Sequence, residues 1–78
     1  MLNSIVVGQV LQRFREKKKF SQELLSGLDG IGRTHLSAIE RGERKPTLET
    51  FLKIAFALGV KPSEIMAIIE KEISEHTE

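Results

Sequence analysis

Apolar residues recur along this chain at three- and four-residue spacing in five separate stretches, and glycines and prolines punctuate them. The first stretch predicts a helix from near Ser4, a capping residue, to about Lys18, with Val7, Val10, Leu11 and Phe14 on one face. Lys17, Lys18 and Lys19 then complement the negative end of its dipole. Ser21 caps a second helix, about Gln22 to Leu28, whose inner face is expected to hold Leu24, Leu25 and Leu28. Gly30 supplies a turn, and a third helix runs from about Arg33 to Arg41 with Leu36 and Ile39 inward, ended by Gly42. Thr47 caps a fourth helix, about Leu48 to Leu58, offering Leu48, Phe51, Leu52, Ile54, Ala55 and Leu58 to a core. Gly59 stops it, Val60 packs back, and Pro62 opens a fifth helix to about Ser74 carrying Ile65, Met66, Ile68, Ile69 and Ile73. Strand-like alternation and repeats are both missing, so the fold class is all-α with five helices.

Within this pattern, Ser21 to Gly42 is two short amphipathic segments joined by a glycine turn, the layout of a helix-turn-helix. Leu25, Ile31, Leu36 and Ile39 would hold the pair against the fourth helix, and Ser26 is small enough for a close crossing. Arg33, Thr34, Ser37 and Ala38 are then left on the outer side of the third helix, where such a helix meets base edges in a DNA major groove. Arg33 suits the O6 and N7 acceptors of guanine, Thr34 a hydrogen bond or a thymine methyl, and Ala38 an apolar contact only. Arg41, Arg44 and Lys45 follow the helix and Lys19 lies near the start of the preceding one, where cations meet phosphates. His35 fits a half-buried packing role or a phosphate contact as well as it fits base reading.

Bulk composition narrows this further. The 78 residues suffice for one domain with a small core and leave no room for a sensor or ligand domain. Cysteine is absent, which excludes disulfides and thiolate zinc and suits a cytoplasmic protein. The longest apolar run, residues 65–69, is far short of the roughly 20 residues that span a bilayer. A net charge of +1 hides an asymmetry: residues 1–61 hold 11 Lys/Arg and 6 Asp/Glu, a net +5, and residues 62–78 hold one lysine and five glutamates, a net −4. Gly30-Ile31-Gly32 has no preceding strand and no third glycine for a dinucleotide site. Asp29, His35 and Ser37 do not converge as a hydrolytic triad, and the two histidines, His35 and His76, lie too far apart in sequence to suggest a metal. No enzyme activity, metal, cofactor or small-molecule ligand is expected.

Taken in order, Val7-Gly8, Leu11, Phe14-Arg15, Ser21-Gln22-Glu23, Gly30, Arg33 to Ser37, Ile39 to Gly42, Lys45 to Thr50 and Ala57 to Val60 resemble the Cro/repressor-like (Xre-type) helix-turn-helix family over about three quarters of the chain. The resemblance implies a sequence-specific transcriptional regulator that binds double-stranded DNA. It also implies that Gln22 touches a phosphate and that Arg15 and Glu40 form a structural salt bridge between the first helix and the end of the third. Such proteins bind two half-sites as dimers, and Met66, Ile68 and Ile73 are the candidate homodimer contacts, with Ile65 and Ile69 left to the core. The length is similar to that of restriction-modification controller proteins; the alternative is an antitoxin-type protein-interaction module on the same fold. Four positions depart from the pattern: Gly27 and Leu24 weaken the second helix, Gly32 leaves the third without a side-chain cap, and Asp29 stands where a small apolar residue is usual. Asp29 is expected to reach over the turn to the amides of the third helix.

Overall fold

The computed structural model describes residues 3–76, the side chains of Asp29 and His76 excepted, so the expected reach of Asp29 lies outside the described residues. Five helices follow in order: α1 (Ser4–Lys17), α2 (Gln22–Asp29), α3 (Arg33–Glu40), α4 (Leu48–Leu58) and α5 (Pro62–His76). No strand occurs among the described residues. α1 packs against α3 and α5, α2 against α3 and α4, and α4 against α5, which places α2 and α3 together at one side of the bundle.

Capping sets where these helices begin. Ser21 Oγ accepts from the Leu24 amide at 3.0 Å and Thr47 Oγ1 from the Thr50 amide at 3.1 Å, as their sequence positions require. α1 corrects the expectation by one residue. Asn3, not Ser4, is its cap, and Asn3 Oδ1 accepts from the amides of Ile5 at 2.9 Å and Val6 at 3.3 Å. Ser4 is already helical and cannot fill that role. α3 starts at Gly32 without a side-chain cap, as its sequence suggests.

Three helices end in the same way, with an amide donating back five residues to close the last turn: Phe20 to Arg15, Glu43 to Ala38, and Val60 to Ala55. This closure needs a left-handed residue just before the donor. Gly42 (φ 80°) and Gly59 (φ 71°) supply it after α3 and α4, but after α1 the residue is Lys19 at φ 62°. A side chain there is strained where glycine is not.

The core is aliphatic. Val10, Leu11, Leu25, Leu36, Ile39 and Ile54 are essentially inaccessible, and Ile65 and Ile69 join them from α5 as expected. Three expected core residues are not there. Leu24 and Leu28 of α2 are about half exposed, and Leu25 is the one fully buried leucine of this two-turn helix. Leu48 is 72% exposed, because the first residue of α4 projects past the end of the core. Ile73, a candidate dimer contact, is half-buried and packs in part against the core. Arg13 adds a surface tie that the sequence did not announce, donating to Glu72 Oε1 of α5 at 2.6 Å.

Gly8 fixes how closely α1 lies on α3. A Cβ at that position would stand 2.2 Å from the Ile39 carbonyl oxygen and 2.7 Å from that of Glu40, so backbone would have to move. Gly27, by contrast, has open space around it. In denaturant titrations, Gly8→Ala should lose about 3 kcal/mol or more, the upper end of overpacking. Gly27→Ala and Lys19→Gly should each gain about 0.5–1 kcal/mol, one from helix propensity and the other from relief of the left-handed strain.

Candidate nucleic-acid interface

The position of α3 is set at its C-terminal end by a buried charge network. Arg15 donates from Nε to Glu40 Oε2 at 2.7 Å and from Nη2 to Glu40 Oε1 at 3.0 Å, forming a bidentate pair. Its Nη1 donates to the Phe20 carbonyl at 2.7 Å, so the same guanidinium also holds the loop that leads into α2. Gln22 Nε2 completes the set by donating to Glu40 Oε1 at 2.9 Å. The side chains of Arg15 and Glu40 are only 10% and 3% exposed. The hydrogen bond to Glu40 reinforces the charged form of Arg15 against the opposing effect of burial. α1, α2 and α3 therefore meet at one carboxylate, and the α1–α2 loop is tied in through Arg15. The salt bridge implied by resemblance is present. The side-chain amide of Gln22, expected to face a phosphate, is engaged with it.

Away from this buried network, Arg33 and Thr34 are exposed and Ser37 half-exposed, and together with Arg41 they line one shallow cleft. Ala38 does not belong with them. It is 8% exposed, turned toward the body of the protein, and this corrects its assignment to the outer face. His35 is half-buried. Arg44 and Lys45 are exposed in the loop after α3, and Lys19 is exposed beside the start of α2.

Sequence reasoning missed how Arg41 is held. Its Nε and Nη2 donate to the two carboxylate oxygens of Glu43 at 2.9 and 3.0 Å, and its Nη1 donates to Ser37 Oγ. The Ser37–Arg41 contact follows from i,i+4 spacing on a helix. The Glu43 contact depends on Gly42, whose positive φ folds the chain back so that a residue two positions on can reach Arg41. That hydrogen bond, aided by the positive charge, holds the Glu43 carboxyl below its usual range and raises Arg41.

A sequence model of the helix-turn-helix family matches residues 11–65, from the second half of α1 to the first turn of α5. The chain belongs to the helix-turn-helix family. It is 39% identical over 66 residues to the control protein C.MunI of Mycoplasma sp, a match covering 83% of this chain and 89% of that one. It is also 39% identical over 69 residues to the control protein C.BamHI of Bacillus amyloliquefaciens, covering 85% of each. Among solved structures it is similar to the restriction-modification controller protein C.AhdI from Aeromonas hydrophila, with a TM-score of 0.79 and 37% identity over 83% of this chain and 98% of that one. The helix-turn-helix is α2 and α3 with the Gly30 turn at φ 79° between them, and the chain is a DNA-binding regulator by family.

Because three elements converge on Glu40, Arg15→Ala should cost about 3–5 kcal/mol by leaving the buried carboxylate without its countercharge. Replacing both partners with apolar residues of similar volume should cost much less. Chemical denaturation of the single and double variants, read with helical circular dichroism, distinguishes the two. An Arg15→Ala protein of unchanged stability would remove the pair from its structural role.

Proposed function

We propose that this protein is a sequence-specific transcriptional regulator that binds a palindromic operator as a homodimer, a reading supported by its similarity to controller proteins. The observation that carries the reading is the outer side of α3, where Arg33, Thr34 and Ser37 stand exposed and are continued by Arg41, Arg44 and Lys45. In this reading Arg33 and Thr34, at the N-terminal end of α3, meet base edges, and Ser37 lies one turn on. Arg41, Arg44 and Lys45 track the phosphates beyond α3, and Lys19 meets those near α2, while half-buried His35 adds at most a backbone contact. Lys19 carries its charge on a left-handed backbone that glycine would adopt more easily. The role is cytoplasmic, requires no cofactor, and fits a controller of restriction-modification genes. Selection from a random duplex library at stated salt should enrich a two-fold symmetric consensus. Arg33→Ala should then relax one base position in each half-site and cost about 1–3 kcal/mol there. Failure to enrich any sequence would favour a protein-interaction module.

The dimer is proposed to form through α5 and the start of α4. Met66 is 42% and Ile68 37% exposed, and Met66 lines an apolar groove with Val7, Pro46, Leu48 and Phe51. Exposed Leu48 extends this surface, and half-buried Ile73 stays a further candidate contact. A second copy of the chain suits this groove because a single recognition helix reads only one half-site. The acidic α5 would also be kept away from DNA there. Met66→Glu should convert the dimer to monomer in sedimentation equilibrium and weaken operator binding, with helicity unchanged. A dimer that survives the substitution would place the interface elsewhere.

A further inference from the structure

The clasp on Arg41 places a carboxylate where the proposed interface expects a phosphate. Glu43 occupies both Nε and Nη2 of the guanidinium with its two oxygens, the fork geometry with which arginine also receives a phosphate. The third nitrogen is turned back to Ser37, so the side chain is held along α3, beside the cleft that Arg33 and Thr34 line. Arg41 and Glu43 are both more than half exposed, and nothing buries the pair. An ion pair in such a position exchanges readily with solvent and with other anions.

We propose that Glu43 is an intramolecular competitor for DNA: it stands in for a backbone phosphate on Arg41 in the free protein and is displaced from the guanidinium when the duplex docks. The inference rests on the reading of α3 as the DNA-facing helix. Its consequence lies in charge accounting. A cation that neutralises a phosphate releases counterions from the duplex, and each such contact adds about 0.9 to the slope of log affinity against log salt. When Arg41 leaves Glu43, the freed carboxylate takes up a cation, so part of that release is cancelled. Glu43 therefore weakens binding to every sequence and flattens the salt dependence. It contributes nothing to base choice. The unforeseen acidic residue in an otherwise basic loop, Arg41 to Lys45, is thereby a setting of affinity.

The test is a salt titration of four proteins, the wild type, Glu43→Gln, Arg41→Gln and the double variant, each on a random duplex and on the operator recovered by selection. Circular dichroism checks that all four are folded, which the exposed position of the pair favours. Glu43→Gln should bind both duplexes about two- to fivefold more tightly at ~0.1 M salt, the scale of an exposed ion pair, with a slope steeper by up to about 0.9. The double variant should show none of this gain over Arg41→Gln, because the competition acts through Arg41. A gain that persists without Arg41 would mean that Glu43 acts only as bulk negative charge, and would overturn the proposal. Weaker binding by Glu43→Gln, or unchanged affinity and slope, would overturn it equally. If the wild type binds neither duplex, the reading of α3 falls first, and that outcome is distinct from a wild type that binds and a Glu43→Gln that matches it.

Discussion

The structure depends on one buried ion pair. α2 and α3 have eight residues each, too short to persist as isolated helices, so their positions come from tertiary contacts alone. Arg15 and Glu40 supply the polar part of those contacts. Burying both charges is costly, and that cost is offset only because the remaining donors and acceptors are also met. Arg15 finds the Phe20 carbonyl and Glu40 finds Gln22. The pair thereby specifies three separate relations: α1 to α3, the α1–α2 loop to α1, and α2 to the end of α3. Gly8 lies seven residues before Arg15, two turns back on the same face of α1, and lets the backbones approach at that end of α3. Close approach and charge pairing act on the same few ångströms.

The fold was legible wherever a local rule decides the outcome. Helix number and order, the Ser21 and Thr47 caps, the Gly30, Gly42 and Gly59 stops and the Ile65–Ile69 core row all follow from spacing and backbone chemistry. Three misplacements share a cause. Leu24, Leu28 and Ala38 each lie in an amphipathic helix whose exact facing is set by its neighbours, and periodicity leaves the edge of an apolar stripe free by about one residue. A two-turn helix such as α2 has almost no repeats with which to fix that edge. Ser4 and Asn3 are adjacent residues that both make good caps, so composition alone does not choose between them.

At the candidate interface, the residue types were legible and their partnerships were not. Arg33, Thr34 and Ser37 stand on the outer side because Leu36 and Ile39 take the inner one, which is a matter of helical phase. The partners of Gln22 and Arg41 depend on how chain segments meet. Gln22 reaches Glu40 across 18 residues of sequence, and Glu43 reaches Arg41 only because Gly42 turns the chain back. No periodicity encodes either contact. Lys19 is different again: its left-handed backbone is visible only in the structure, since lysine carries no sequence signal for that conformation.

Two arginine–carboxylate forks thus meet at the end of α3, with the same chemistry and different environments. The Arg15–Glu40 pair is nearly inaccessible, so neither ions nor water can replace one partner without unfolding its surroundings. The Arg41–Glu43 pair is open to solvent, where salt screens it and another anion can take the carboxylate's place. Burial is what separates a fixed contact from an exchangeable one. The Arg15–Glu40 pair has to stay closed for α3 to hold its position, and on the proposed reading Arg41 has to be able to open. A fixed α3 and exchangeable phosphate contacts are compatible on that reading, because one fork is buried and the other open to solvent.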